Sequence, residues 1–211
     1  MNTEQRLFEP YIRDLNPKVV FEFGSYDLTD GMFYRKFWPE AEIYCFEPNP
    51  NLYKNIYKIA KENNIKIFSS AFTFQDGPID FYPSVKLDSI PGPSGSLLKQ
   101  TDSHIKSQEP FQTFPHLIKV MGRSIESFCE QHKIEEIDFM HMDVEGAVEL
   151  VVNGFGEIRP KLIRAEVHGR DKLFKDAPSA AHINMLLIDM GYDVIFDSIR
   201  SSADVIYRYG N

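Results

Sequence analysis

Apolar residues fall into short runs of strand length, separated by stretches of helical period. Val19 to Phe23, Ile43 to Phe46 and Ile65 to Phe68 are three such runs. Between the first two, Met32 to Trp38 has room for one or two helical turns after an Asp30-Gly31 start. Between the second and third, Asn51 to Asn63 sets Leu52, Ile56, Ile59 and Ala60 at helical spacing, with lysine and glutamate opposite, and stops at Asn63-Asn64. Parallel strands need a crossover connection, so this alternation predicts βαβ units and an α/β fold with a parallel sheet.

The alternation breaks after Phe74. Gln75-Asp76-Gly77-Pro78 is turn chemistry, and Ile79 to Tyr82 reads as a short strand. From Pro83 to Pro115 the chain is rich in Ser, Pro, Gly and Gln, contains SIPGPSGS and shows no period of either kind. Compact domains seldom carry a structureless stretch of that length, so 83–115 is expected to be a lid or substrate loop, with variable surface as the plain alternative.

Regular structure resumes with Leu117 to Val120. Ser124 followed by Ser127 gives no capping box, but Ile125, Phe128 and Cys129 share a helical face up to His132. A strand from Ile137 to Met142, a short helix from Ala147 to Asn153 and a strand from Leu162 to Val167 come next. The helix Ala180 to Met190 carries Ile183, Leu186, Leu187 and Met190 on one side and is closed by Gly191. Asp193 to Phe196 and Asp204 to Tyr209 are joined by so short a connection that they should pair as an antiparallel hairpin.

Composition narrows the function. The chain has 211 residues, 43% hydrophobic and 26% charged, the balance of one globular domain and not of a disordered or fibrous chain. Its formal charge of -8 has the wrong sign for generic attraction to polyphosphate and argues against nucleic acid as a partner. No apolar run approaches the roughly 20 residues of a membrane span, and MNTEQRLFEP lacks the apolar stretch of a signal peptide. A cytoplasmic location without membrane contact is expected. Cys45 and Cys129 have no metal-ligand spacing and sit in apolar contexts, which suits reduced core residues.

The candidate chemistry gathers where strands end. Glu22-Phe23-Gly24-Ser25 closes the first strand, with Gly31 seven residues beyond Gly24. Ligands of open α/β sheets bind at those carboxyl ends, where glycine lets backbone approach a ligand. The Gly-x-Gly-x-x-Gly cradle for a pyrophosphate is missing, and Glu22 would repel phosphate and favour a cation, which suggests a positively charged nucleoside. A tight strand-to-helix turn is the alternative. The second strand ends IYCFEPNP, so Glu47 stands at its tip and can accept both ribose hydroxyls, while Pro48 suits a helix start.

IDFMHMDVEGAVELVVNGF delivers Asp143 and Glu145 to the same edge, with Gly146 opening a short helix. Two neighbouring carboxylates raise each other's proton affinity unless they bind something, although a charge pair at a helix start reads the same way. The following strand adds Glu166, His168 and Gly169. His104, His116, His132, His141 and His182 have no metal-ligand pairing, so zinc is not expected.

FEFGS, then CFEPNP, then IDFMHMDVEGAVELVVNGF resemble, in order and rough spacing, the FkbM family of S-adenosylmethionine-dependent methyltransferases. The resemblance covers about Val19 to Phe155, and Glu-Pro-Asn-Pro and Asp-Val-Glu-Gly are its specific parts. It implies a Rossmann-like class I methyltransferase: a seven-stranded, mostly parallel sheet with helices on both faces and a C-terminal antiparallel hairpin. It also implies that S-adenosylmethionine lies over the ends of the first, second and fourth strands. Glu22 and Gly24 would border its methionine part, Glu47 the ribose, Ala71 and Phe72 the adenine side, and Asp143 the methyl-transfer edge, with Ser25, Gly31 and Pro48 also among the cofactor-binding residues. The family mostly methylates hydroxyl oxygens of sugars and secondary metabolites. His141 stands where lysine is common, and the 83–115 stretch shares only a loose Ser-Gly-Ser-Leu.

Methyl transfer fits the residue chemistry. A sulfonium methyl needs little electrophilic help, so an enzyme gains mainly by placing the acceptor in line. An alcohol must also lose its proton, for which His168 is the preferred base among Asp143, Glu145, Glu166 and His168. A divalent metal on these carboxylates ranks below metal-free catalysis, because the sequence shows no adjacent third carboxylate or amide ligand. The other readings are a non-catalytic nucleoside-binding or regulatory module on the same fold and, disfavoured by the missing glycines, a dehydrogenase.

Overall fold

The chain begins with helix α1 (Thr3–Ile12) and then follows the alternation its apolar runs predict. β1 (Val19–Phe23), α2 (Thr29–Phe37), β2 (Glu42–Phe46), α3 (Pro50–Glu62) and β3 (Lys66–Phe68) form the first half. β4 (Ala71–Phe72), β5 (Gly77–Phe81), β6 (Val85–Lys86), α4 (Asp102–Gln108), β7 (Gln112–Thr113) and β8 (Ile118–Arg123) make an insertion. The second half comprises α5 (Ile125–His132), β9 (Phe139–Met142), α6 (Val148–Val152), β10 (Leu162–His168), α7 (Ala180–Asp189), β11 (Tyr192–Asp197) and β12 (Ser202–Tyr209). This computed structural model describes residues 3–86, 88–108, 111–168, 173–198 and 202–210.

Seven strands lie in the order β11-β12-β10-β9-β1-β2-β3. The five from β10 to β3 are parallel, and β12 runs antiparallel between β10 and β11. The expected mostly parallel sheet with a C-terminal hairpin is therefore the sheet observed. Burial explains the order of the last two strands: Val205, Ile206 and Tyr207 are successive and all buried, as an internal strand requires, whereas β11 beyond its buried first residue, Tyr192, is half-buried or exposed.

Helices cover both faces. Phe8 and Ile12 of α1, Tyr34 of α2 and Ile56 and Ala60 of α3 pack on one, and Phe128 of α5, Val151 of α6 and Leu187 of α7 on the other. Helix α1 is absent from the sequence reading, because Phe8 and Ile12 supply its buried apolar contacts and Pro10 interrupts its pattern. Local signals set two helix starts: Asn49 caps α3 by accepting from the Asn51 amide at 3.1 Å, followed by Pro50, and Ser124 caps α5 by accepting from the Ser127 amide at 3.1 Å.

The segment 83–115 is not structureless, which corrects the sequence reading. It carries α4 and a small antiparallel pair, β6 with β7, and is bridged to its surroundings at Tyr82 with Ser96 and Gln100 with Phe174. Its interior is polar: Ser84, Ser96, Gln100, His104 and Gln112 are buried, and the Gln112 amide donates to Ser94 Oγ at 3.1 Å and Gln108 Oε1 at 2.9 Å. Polar side chains take the place of an apolar face, so no hydrophobic period marks these elements. We call 82–115 the cap.

Candidate active site

Parallel register brings the strand tips together. Phe23 pairs with Phe46 on one side and Met142 on the other, and Met142 pairs with Ala165. The next residues, Gly24, Glu47 and Asp143, therefore leave the sheet along one edge, and Glu166, still paired with Asp204 in the longer β10, stands beside them. Gly24 has φ +84°, and a Cβ there would sit 1.8 Å from the Asp143 carbonyl oxygen. Its requirement comes from the approach of two strand ends as well as from any ligand.

A cavity opens above this edge, between the strand tips and the cap. Gly24, Tyr26, Glu47, Asp143 and Glu145 contribute its sheet side. Phe46, Leu52, Ala71, Phe72 and Phe81 form an apolar wall, and Pro93, Gly95, Ser96 and Leu97 of the cap close it. An apolar slot beside a few carboxylates is the surface a flat base joined to a cationic group requires.

Glu47 is buried at 4% exposure, and its oxygens accept from the backbone amides of Tyr26 at 2.9 Å and Asn49 at 2.8 Å. Each carboxylate oxygen has two acceptor sites, so one on each oxygen is left for a diol. Burial pushes its pKa up to about 7, against the two amide bonds that favour the charged form. The loop that supplies Tyr26 is tightly wound, with φ +40° at Tyr26 and +67° at Leu28.

Glu22, Ser25 and Gly31 do not line the cavity. Ser25 Oγ donates to Glu22 at 2.6 Å, and a Cβ on Gly31 would meet Cys45 Sγ at 2.8 Å. These residues pack β1 against α2 and β2 beneath the site. Burial raises the Glu22 pKa to about 7, offset in part by hydrogen bonds with Cys45 and Ser25.

Carboxylate oxygens of Asp143, Glu145 and Glu166 lie within 4.8 Å of one another. Register sets Glu166 beside Asp143, so the third carboxylate, named in the sequence on the following strand, becomes adjacent to the other two. Burial pushes Asp143 well above the usual carboxylate range, and the facing Glu166 charge and hydrogen bond push it further. Glu145 is raised to about 8, first by burial and then by Asp143, while a hydrogen bond with Ser94 draws it back. Three facing carboxyls of this kind are satisfied by a shared proton, or by a hard divalent cation with oxygen ligands. His168 ends β10 two residues beyond Glu166, and its side chain, like Gly169, lies outside the described residues. His141 is buried below the site, where desolvation and Arg164 hold its pKa well down.

Of the sequence candidates, Gly24, Glu47, Pro48, Ala71, Phe72, Asp143 and Glu145 meet at the cavity. Sequence reasoning missed Tyr26, Asn49, Ser70 and Phe81; the cap wall falls within the 83–115 stretch expected to be a lid or substrate loop, without its individual residues having been named. The residues present fit S-adenosylmethionine: a buried carboxylate for the ribose, an apolar slot for the base and further carboxylates toward the cationic end.

Sheet order, hairpin and strand-end cavity define a class I, Rossmann-like methyltransferase fold. A putative caffeoyl-CoA O-methyltransferase from Staphylococcus aureus superposes with a TM-score of 0.57 at 12% identity, covering 100% of this chain and 84% of that one. Fibrillarin from Aeropyrum pernix, solved with natively bound S-adenosyl-L-methionine, gives 0.51 at 13% identity, covering 96% and 74%. The chain belongs to the methyltransferase FkbM domain family, whose model matches residues 18–194. It is also 28% identical over 145 residues to the 2-O-methyltransferase NoeI of Sinorhizobium fredii, a match spanning 68% of this chain and 59% of that protein.

Proposed function

We propose that this chain is an S-adenosylmethionine-dependent O-methyltransferase domain whose acceptor is a hydroxyl of a sugar or other small metabolite. The observation that carries the reading is the convergence of Glu47, an apolar slot and the Asp143, Glu145 and Glu166 carboxyls at one sheet edge in a chain of this family. The similarity to a 2-O-methyltransferase supports the hydroxyl acceptor.

S-adenosylmethionine supplies an electrophilic methyl on a cationic sulfur. Glu47 holds the ribose diol, and Phe46, Leu52 and Phe72 shield the base from water. Asp143, whose charged form a cationic sulfur beside it favours, offsets that charge and orients the acceptor, and His168 takes the acceptor proton. The cap closes over the acceptor and excludes water. The trio favours one second reading, in which Asp143, Glu145 and Glu166 would hold a divalent cation, whose chemistry there would be to acidify the acceptor hydroxyl. The buried thiols Cys45 and Cys129 suit a reducing cytoplasm, and no helix among the described residues is long and apolar enough to cross a membrane.

Labelled S-adenosylmethionine with a panel of methyl glycosides tests turnover. S-adenosylhomocysteine at a hundred times its dissociation constant should add about 2.7 kcal/mol of stability, and NAD none. A thermal shift with NAD and none with S-adenosylhomocysteine refutes the assignment.

A further inference from the structure

Glu145 and Gly146 are consecutive left-handed residues, at φ +50° and +85°. Glycine adopts that conformation freely; glutamate does so at a cost and persists there when its surroundings hold it. Two parts of the structure do so. Ser96, buried in the cap at 1% exposure, donates its hydroxyl to the Glu145 carbonyl at 2.7 Å and accepts from the Leu98 amide at 2.9 Å. Ser96 is itself fixed, exchanging both backbone hydrogen bonds with Tyr82 at 2.8 and 3.0 Å. The preceding Gly95 seats this turn so closely that a Cβ would lie 2.6 Å from the Phe81 ring.

The second hold is on Gly146, where a Cβ would meet the Phe174 ring at 2.7 Å. Phe174 is tied back to the cap, since the Thr101 amide donates to the Leu173 carbonyl at 2.9 Å and the Lys175 amide to the Lys99 carbonyl at 2.7 Å. The cap thus contacts Glu145 of the strained turn directly, and Phe174, joined to the cap through its neighbours, packs on Gly146.

We infer that Ser96 is a positioning residue: its hydroxyl holds Glu145 in the left-handed conformation that turns the Glu145 carboxyl toward Asp143 and Glu166, so the acidic trio is held in place by a contact from the cap. The inference rests on the methyltransferase reading for its consequence, in that the acceptor site depends on this contact. The Ser-Gly-Ser-Leu stretch then has a function: Ser94 hydrogen-bonds the Glu145 carboxyl, Gly95 permits the seating, Ser96 grips the carbonyl and Leu97 lines the cavity.

The test is the backbone amide-to-Hα coupling of Glu145, measured by NMR on full-length protein with and without S-adenosylhomocysteine. Ser96→Ala should move this coupling and the Glu145 amide shift away from their wild-type values, and Ser96→Thr, which keeps the hydroxyl, should restore them. Should Ser96→Ala not fold, Ser96→Cys keeps the volume with a weaker donor and should move them part way. On methyl glycosides that wild type turns over, Ser96→Ala should lower kcat by about 10²-fold with little change in KM for the cofactor. A folded Ser96→Ala, or Ser96→Cys in its place, with the wild-type coupling at Glu145 overturns the inference. Failure of wild type to bind S-adenosylhomocysteine overturns the cofactor reading instead and leaves the coupling test standing.

Discussion

Gly24 and Asp143 meet backbone to backbone: the position of a Gly24 Cβ lies 1.8 Å from the Asp143 carbonyl oxygen, and the neighbouring Asp143 amide donates to the Phe23 carbonyl at 3.1 Å. The cofactor edge and the acid edge of the site are thus one joint. Gly24→Ala must both displace β9 and hold alanine at positive φ, a strain of about 1 to 3 kcal/mol before the clash is counted. Thermal denaturation should show a fall of at least roughly 2 to 4 °C, with S-adenosylhomocysteine affinity lost as well. A variant as stable as wild type would mean that the joint is looser than its geometry.

Glu47 offers a cleaner test of the ribose role. Losing charge-assisted hydrogen bonds of this kind costs about 1.5 to 3 kcal/mol, or roughly 10-fold to 100-fold in affinity. Glu47→Ala should weaken S-adenosylhomocysteine to that extent by calorimetry, and Glu47→Gln, which keeps one acceptor oxygen, should weaken it less. Circular dichroism should confirm that both are folded, because the Tyr26 and Asn49 amides also depend on this side chain. Unchanged affinity in a folded variant removes Glu47 from the site.

Buried carboxyls make the stability of the free protein fall with pH. Glu22 and Glu47 are raised to about 7 and Glu145 to about 8, so the folded chain binds more protons than the unfolded one above about pH 4.3. Their stabilisation is complete below that value and is lost as pH rises through 7 to 8. His104, His132 and His141 are lowered and act oppositely, but only below about pH 6.5. Between pH 6.5 and 8 the carboxyls act without that opposition, and the melting temperature should drop. A flat or rising profile there contradicts their burial.

Acid and base roles separate by rate. His168→Ala should reduce the maximal rate by about 10²-fold to 10⁴-fold with little effect on cofactor affinity. Asp143→Asn should impair both, since Asp143 lines the cavity as well as facing Glu166. Chelator should leave wild-type turnover intact. Activity lost in chelator and restored by magnesium would move the proton chemistry from His168 to a metal on the carboxylate trio.

Much of this was legible in the chain. Runs such as Val19 to Phe23 and Ile43 to Phe46 fix strand identity because period and length are local properties, and a glycine or acid directly after each run must then stand at a strand tip. That is why Gly24, Glu47 and Asp143 could be read as one edge. Partnership across strands is not local: register decided that Glu166 faces Asp143, and the packing of β1 against α2 and β2 keeps Glu22, Ser25 and Gly31 out of the cavity lining. The cap was invisible as structure because polar side chains, not an apolar stripe, hold its interior, and hydrogen bonds such as Ser96 to Glu145 join residues 49 positions apart. Sequence pattern determined the sheet and its edge; tertiary packing decided which carboxyls share that edge and what closes over them.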